Sequence, residues 1–205
     1  MQVDGPTCAL RPSASSCASI IELSSHEIVP QSPAAPRHHE ALIVELLHED
    51  AQPPQRATAG SAGYDLRAYL LGRSIKCSDG VRVWDAAAAD RENDGLFSLP
   101  SGVNALIPLG FKARMPVGVE AQIRPRSGTS FKKGLQIPNA PGTIDSDYPD
   151  EWMVTVRNPM PHAVVIEHGE RIAQMVLSRY ETLPIESGVV VVSTDRTGGF
   201  GSTGR

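Results

Sequence analysis

The sequence predicts an all-β, antiparallel fold, a sandwich or barrel carrying one short helix. Three observations predict it. Short apolar or alternating runs recur along residues 41–193, and Gly, Pro, Asn or Asp separates them. The βαβ rhythm of a parallel sheet is missing. A single segment, 127–135, has the makings of a helix, about two turns long.

The elements follow in order. ALIVELLH at 41–48 reads as the opening strand. GSAGYDL at 60–66 places Asp65 just after a Gly/Ser turn. The stretch 77–98 reads as irregular: Asp79-Gly80 signals a turn, 84–89 can start a short helical turn, and the segment then runs through Arg91, Glu92, Asn93 and Asp94 to Gly95. We read it as a surface insertion. VNALIPLGFKARM (103–115) and VGVEAQIRP (117–125) are β runs. In SGTSFKKGL (127–135), Ser127 can cap the helix and Gly134 can end it. WMVTVRNP (152–159), AVVIEH (163–168), RIAQMVLSRYETL (171–183) and GVVVVS (188–193) complete the strand series.

The two ends differ from this body. Residues 1–40 are rich in Ser, Ala and Pro and contain no aromatic residue, as in a flexible extension. A basic start followed by an apolar stretch is missing, which argues against a secretory signal, and Asp4, Glu22 and Glu27 argue against a transit peptide. The domain reading is therefore an extension at 1–40, a β domain at 41–194 with its insertion, and a glycine-rich arm at 195–205.

Composition excludes several function classes. Nineteen Lys and Arg against 23 Asp and Glu give a net charge of −4, which argues against broad binding of nucleic acid. Three cysteines are too few for a disulfide framework or a zinc site and fit a reducing, intracellular, cytoplasmic setting. No apolar run is long enough to span a membrane.

Polar clusters carry the chemistry. In RPRSG, Arg126, Ser127 and Gly128 stand at the start of the short helix, where free N–H groups favour an anion. IPNAPGTIDSDYPDEW (137–152) holds Asp145 and Asp147 around Ser146, followed by Tyr148. GERIAQM sets Arg171 and Gln174 on the rim of a strand. The last residues, DRTGGFGSTG, combine Arg196, hydroxyl side chains, four glycines and Phe200. Such a tail cannot pack a core, but it can wrap a phosphate and stack a base. Each cluster alone has a plainer reading: Asp65 as a turn cap, Arg126 as a surface ion pair, the Asp-Ser-Asp stretch as a hairpin loop, Arg171 as a structural partner of Glu170 or Asp65.

Taken together, AGYDL, PRSG, GTIDSDY, GERIAQM and RTGGFGSTG resemble, in order, the five motifs of the trimeric dUTP diphosphatases, over residues 41–205. The resemblance implies a distorted antiparallel β-barrel of jelly-roll type, assembled as a homotrimer with shared active sites. It implies hydrolysis of dUTP to dUMP and pyrophosphate, which limits uracil entry into DNA and supplies dUMP for dTMP synthesis. Asp145 matches the acid that orients the attacking water. Tyr148 matches the ring packed on deoxyribose. Asn139 and the hairpin through Gly142 and Thr143 match the uracil-reading surface. Arg126, Ser127, Gly128 and Gln174 match the groups on the triphosphate, and Asp65 an acid that reaches a bound Mg²⁺ through water. Arg196, Gly201, Ser202 and Thr203 match the phosphate clamp in a mobile arm, with Phe200 stacked over uracil.

The chain departs from the family pattern at three places. Asp150 stands where a glycine is usual two residues after the tyrosine, only Thr197 separates Arg196 from Gly-Gly-Phe where two residues are usual, and the insertion is long. The missing residue shortens the reach of Arg196 by about 3.5 Å in an extended tail. Two other functions stay open at this point: a dCTP deaminase of the same fold, and a regulatory protein that keeps the nucleotide pocket as a switch.

Overall fold

In the computed structural model of the chain, the described residues are 41–86 and 95–191. Residues 1–40, the centre of the insertion at 87–94, and the arm with Arg196, Phe200, Gly201, Ser202 and Thr203 lie outside them. Within them the chain runs β1 (Ile43–Leu46), β2 (Gln55–Arg56), β3 (Tyr64–Arg67), β4 (Ile75–Ser78), β5 (Val83–Ala86), β6 (Leu96–Leu99), β7 (Asn104–Pro108), β8 (Phe111–Arg114), β9 (Val119–Pro125), α1 (Ser127–Lys133), β10 (Gly142–Ile144), β11 (Met153–Arg157), β12 (Val164–Glu167) and β13 (Arg171–Arg179). Every pairing is antiparallel.

The strands form a five-stranded sheet in the order β10-β9-β13-β3-β2, a four-stranded sheet β11-β7-β4-β5, and the pairs β1-β8 and β12-β6. Alternation explains the core. In β6, Phe97 and Leu99 turn inward and their neighbours outward; in β11, Val154 and Val156 do the same. Trp152 and Phe111 are fully buried, with ring centroids 5.4 Å apart, among Leu66, Ile107, Ile166 and Met175.

The five-stranded sheet positions the site. One of its faces carries Leu66, Ala121, Ile123, Ala173 and Met175 into the core. By alternation the other face carries Asp65, Glu120, Gln122, Arg124 and Gln174. Across the strands, Asp65 pairs with Gln174 and Gln174 with Arg124.

Helix α1 forms where expected, with a different cap. Arg126, extended at φ −94°, ψ 136°, takes the N-cap position without a side-chain capping bond, and Ser127 is the first helical residue. Arg126 cannot cap because a guanidinium only donates hydrogen bonds; its Nε donates to Asp65 instead. Gly134 ends the helix in the left-handed region at φ 68° and donates its N–H to the Ser130 carbonyl at 3.0 Å.

Other expectations are corrected. The stretch 77–98 is not irregular at its ends: Cys77 and Ser78 close β4, 83–86 form β5, and 96–98 lie in β6. The helical turn expected from Trp84 is instead strand through Ala86. The reason is local: Asp79 Oδ1 accepts the N–H groups of Val81 (2.9 Å) and Arg82 (2.8 Å), which tightens a hairpin and pairs Cys77 with Trp84. The Arg82 and Val81 N–H groups, then the Arg82 side chain, pull the Asp79 carboxyl down to about 2. The run 103–115 breaks at Leu109 and Gly110 into β7 and β8. The run 171–183 ends its strand at Arg179, and 188–191 are not strand: Val189, Val190 and Val191 are exposed. A strand needs a partner for its backbone groups, and among the described residues no segment pairs with 188–191. No helix among the described residues is long and apolar enough to cross a membrane.

Candidate functional site

Two groups of sequence-predicted residues border β9. The first surrounds Asp65. Arg126 Nε donates to Asp65 Oδ1 at 2.7 Å, and Arg171 Nη1 donates to Oδ2 at 2.9 Å. Partial burial pushes the Asp65 carboxyl up, but the hydrogen bonds from Arg171 and then Arg126 outweigh it, so its pKa lies below the ordinary carboxylate value. Gln174 donates Nε2 to the Pro125 carbonyl at 2.8 Å. The loop 57–63 closes the other side of a cleft of about 340 Å³ whose wall includes Asp65, Arg126, Ser127 and Gln174. Ser127 and Gly128 are exposed at the start of α1, and a Cβ on Gly128 would meet nothing within 4 Å.

Two residues outside the expected set complete this cradle. A Cβ on Gly63 would stand 2.3 Å from Gln174 Oε1, so the glycine makes room for the amide. Thr129 Oγ1 donates to the Arg171 carbonyl at 3.1 Å and ties α1 to β13. Gly63 lies inside the quoted AGYDL motif. Nothing in the sequence marked Thr129, whose role depends on where β13 runs.

The second group lies on the β10 hairpin. Gly142 pairs with Ile123, Thr143 with Gln122 and Ile144 with Ala121. Thr143 is exposed, and the Asn139 amide lies 3.0 Å from where a Gly142 Cβ would stand. Asp145 is exposed, and among the described residues no hydrogen bond holds its carboxylate; its carbonyl accepts the Tyr148 N–H at 3.2 Å. Tyr148 is 41% exposed and, with Asp147, borders a cavity of about 390 Å³ against Ile43, Lys112 and Arg114.

The structure brings Asp65, Arg126, Ser127 and Gln174 together, and separately Asn139, Gly142, Thr143, Asp145 and Tyr148. Ala140 and Pro141, on the turn between Asn139 and Gly142, share a cleft with Ser127 and Gln174, but Asp145 and Arg126 stand apart within one chain. Since Ile144 pairs with Ala121, Asp145 falls opposite Glu120, whereas Arg126 lies past the far end of β9. Six residues of extended chain separate these positions by roughly 20 Å.

Among the described residues, no cluster of three His, Cys, Asp or Glu side chains could cage a metal ion. Asp65 is a lone carboxylate with one N–H donor on each oxygen, which leaves one lone pair on each. That donor set suits contact with a cation through water and fits a divalent ion delivered by a polyphosphate, which supplies its own oxygen ligands.

Known proteins are similar to this chain. Residues 94–204 match the family model for dUTPase. The chain is 38% identical over 173 residues to the deoxyuridine 5'-triphosphate nucleotidohydrolase of Rhizobium etli, a match covering 82% of this chain and 97% of that one. The crystal structure of dUTPase from Streptococcus mutans is similar at a TM-score of 0.52 and 28% identity, over 69% of this chain and 98% of that one. A Staphylococcus bacteriophage 80alpha dUTPase mutant with dUpNHpp shares the fold at a TM-score of 0.59 and 22% identity, over 80% and 98%.

Proposed function

Because this chain belongs to the dUTPase family and is an enzyme of β-jelly-roll fold that hydrolyses dUTP to dUMP, we propose that its active site joins the two residue groups from different copies of the chain. In this reading one copy supplies Arg126, Ser127, Gly128 and Gln174 to the triphosphate. A neighbouring copy supplies Asn139, Gly142 and Thr143 to uracil, the Tyr148 ring to deoxyribose, and Asp145 to water. The observation that carries it is the separation along β9. A reacting phosphorus must lie near both the water-orienting acid and the phosphate-gripping arginine, and one chain holds these roughly 20 Å apart. A homotrimer, typical of the family, provides the neighbour.

The free Asp145 carboxylate orients a water against the α-phosphorus. The new bond forms from that water oxygen while the bond from the α-phosphorus to the α,β-bridging oxygen breaks, and pyrophosphate leaves. Asp145, a carboxylate and so a weak base, positions the water first and takes its proton late. Arg126 offsets charge on the phosphates. Members of the family use Mg²⁺. Asp65 would help hold such an ion bound with the triphosphate, where it would supply neutralisation of charge on the leaving pyrophosphate. Arg196, Gly201, Ser202 and Thr203 close over the phosphates and Phe200 over the base, as an arm that excludes water.

The test is Asp145→Asn. Turnover falls by roughly 10²–10⁴-fold, the contribution of a positioned general base, while the nonhydrolysable α,β-imido analogue of dUTP still binds in calorimetry. Turnover near the wild-type rate would remove Asp145 from the reaction.

A further inference from the structure

Arg171 is not among the residues assigned to substrate, yet it touches the phosphate cradle twice. Its side chain takes Asp65 Oδ2 through Nη1 at 2.9 Å. Its backbone carbonyl accepts Arg126 Nη1 at 3.2 Å and Thr129 Oγ1 at 3.1 Å. The local backbone allows both contacts. The β13–β3 register shifts between Arg171 and Ala173, an irregularity that re-aims the side chain at this position.

This arrangement divides the Arg126 fork. Nε is spent on Asp65 Oδ1 and Nη1 on the Arg171 carbonyl. Among the described residues, Nη2 makes no hydrogen bond, and Arg126 lines the cleft. An arginine beside a lone carboxylate normally pairs with it through two parallel N–H bonds, fork to fork. Here Arg126 makes only the Nε bond to Oδ1, and a second bond to Oδ2 would bring its guanidinium against the like-charged Arg171 guanidinium already there.

We propose that Arg171 is a positioning residue: by occupying Asp65 Oδ2 it prevents Arg126 from closing onto that carboxylate in a two-bond pair, and so keeps the outer edge of the Arg126 guanidinium available to phosphate. The inference rests on the reading that Arg126 binds the triphosphate. Without the Arg171 side chain, Asp65 turns, accepts Arg126 through both oxygens, and withdraws the donors the substrate needs. Lysine at 171 still fills Oδ2 with one charged donor. The backbone carbonyl is present whatever the side chain.

The experiment compares Arg171→Ala, Arg171→Lys, Arg126→Ala and the double variant Arg126→Ala/Arg171→Ala. Each is assayed for KM, kcat, thermal midpoint and calorimetric affinity for α,β-imido-dUTP, with the affinity also measured in EDTA to separate the arginine effect from any metal. Arg171→Ala weakens the analogue and raises KM by roughly tenfold, the scale of one lost charge-assisted hydrogen bond. It changes kcat less than KM. Arg171→Lys recovers most of the affinity. In the Arg126→Ala background, removing Arg171 costs nothing further, since the residue acts through Arg126.

Additive losses in the double variant would overturn the inference and make Arg171 a direct phosphate contact. A fall in kcat and thermal midpoint with KM and affinity unchanged would overturn it in favour of a purely structural ion pair. If Arg126→Ala itself binds the analogue normally, the reading beneath it fails instead, and the two failures are distinguishable.

Discussion

Gly63 lacks a side chain because Gln174 occupies the space one would fill. The Gln174 amide is pinned at its other end to the Pro125 carbonyl at 2.8 Å, so it cannot yield without losing that bond. Gly63→Ala therefore displaces Gln174, and kcat/KM falls by roughly three- to tenfold, the worth of one neutral hydrogen bond. The thermal midpoint stays within a few degrees, since no core atom moves. Steady-state kinetics beside a melting curve checks this, and unchanged kcat/KM would show that Gln174 does not need its present position. At this scale much of the site was legible. Asp65, Arg126, Ser127 and Gln174 stand in short polar clusters inside apolar β runs, and the structure gathers them in one cleft. The need for glycine at 63 and the double role of Arg171 were not legible. Both depend on which strands lie side by side, and local spacing does not encode that.

Among the elements, β12 hands the chain to His168, which links distant parts of the fold. Its Nδ1 accepts the Leu70 N–H at 3.2 Å, so the folded ring is neutral, and it stands edge-on to Tyr69 with centroids 5.0 Å apart. Tyr69 in turn stacks on His48 at 4.3 Å and donates its hydroxyl to Asp50 at 2.9 Å. Burial lowers the His168 pKa, and the nearby Asp50 charge opposes this without reversing it. The folded value is thus below the unfolded one of about 6.5. Its contribution to stability is complete above that unfolded value and is lost as pH falls through the folded one. Urea midpoints measured between pH 7.5 and 5 should decline. In His168→Asn, whose side-chain oxygen can still accept the Leu70 N–H, the decline is shallower; an unchanged slope would assign it to other groups. The strands in the body of the chain were legible from alternation and turn residues. The β4–β5 hairpin was not, because its polar composition hid a turn organised by the Asp79 carboxylate. The run 188–191 looked like a strand because valines favour one, but strand formation also needs a neighbour, which propensity cannot supply.

For the whole molecule, the polar face of the five-stranded sheet carries the residues proposed to grip phosphate at one end of β9, with Asp145 beyond the other. With a net charge of −4 a polyanion needs a local cationic site, and Arg126 beside Arg171 provides one. The sequence named the residues expected to carry the chemistry. It could not show that one chain keeps them apart, since that follows from the register of β10 on β9. The most direct test of the shared site is complementation. Inactive Asp145→Asn and inactive Arg126→Ala chains are mixed, unfolded and refolded together, with subunit exchange verified by mass. If neighbouring copies supply the two groups, the mixture recovers about a quarter of wild-type activity, the share of sites that draw an intact residue from each parent at random. Verified mixed assemblies that stay as inactive as either parent would contradict the account, because a site built within one chain cannot be repaired by its neighbour.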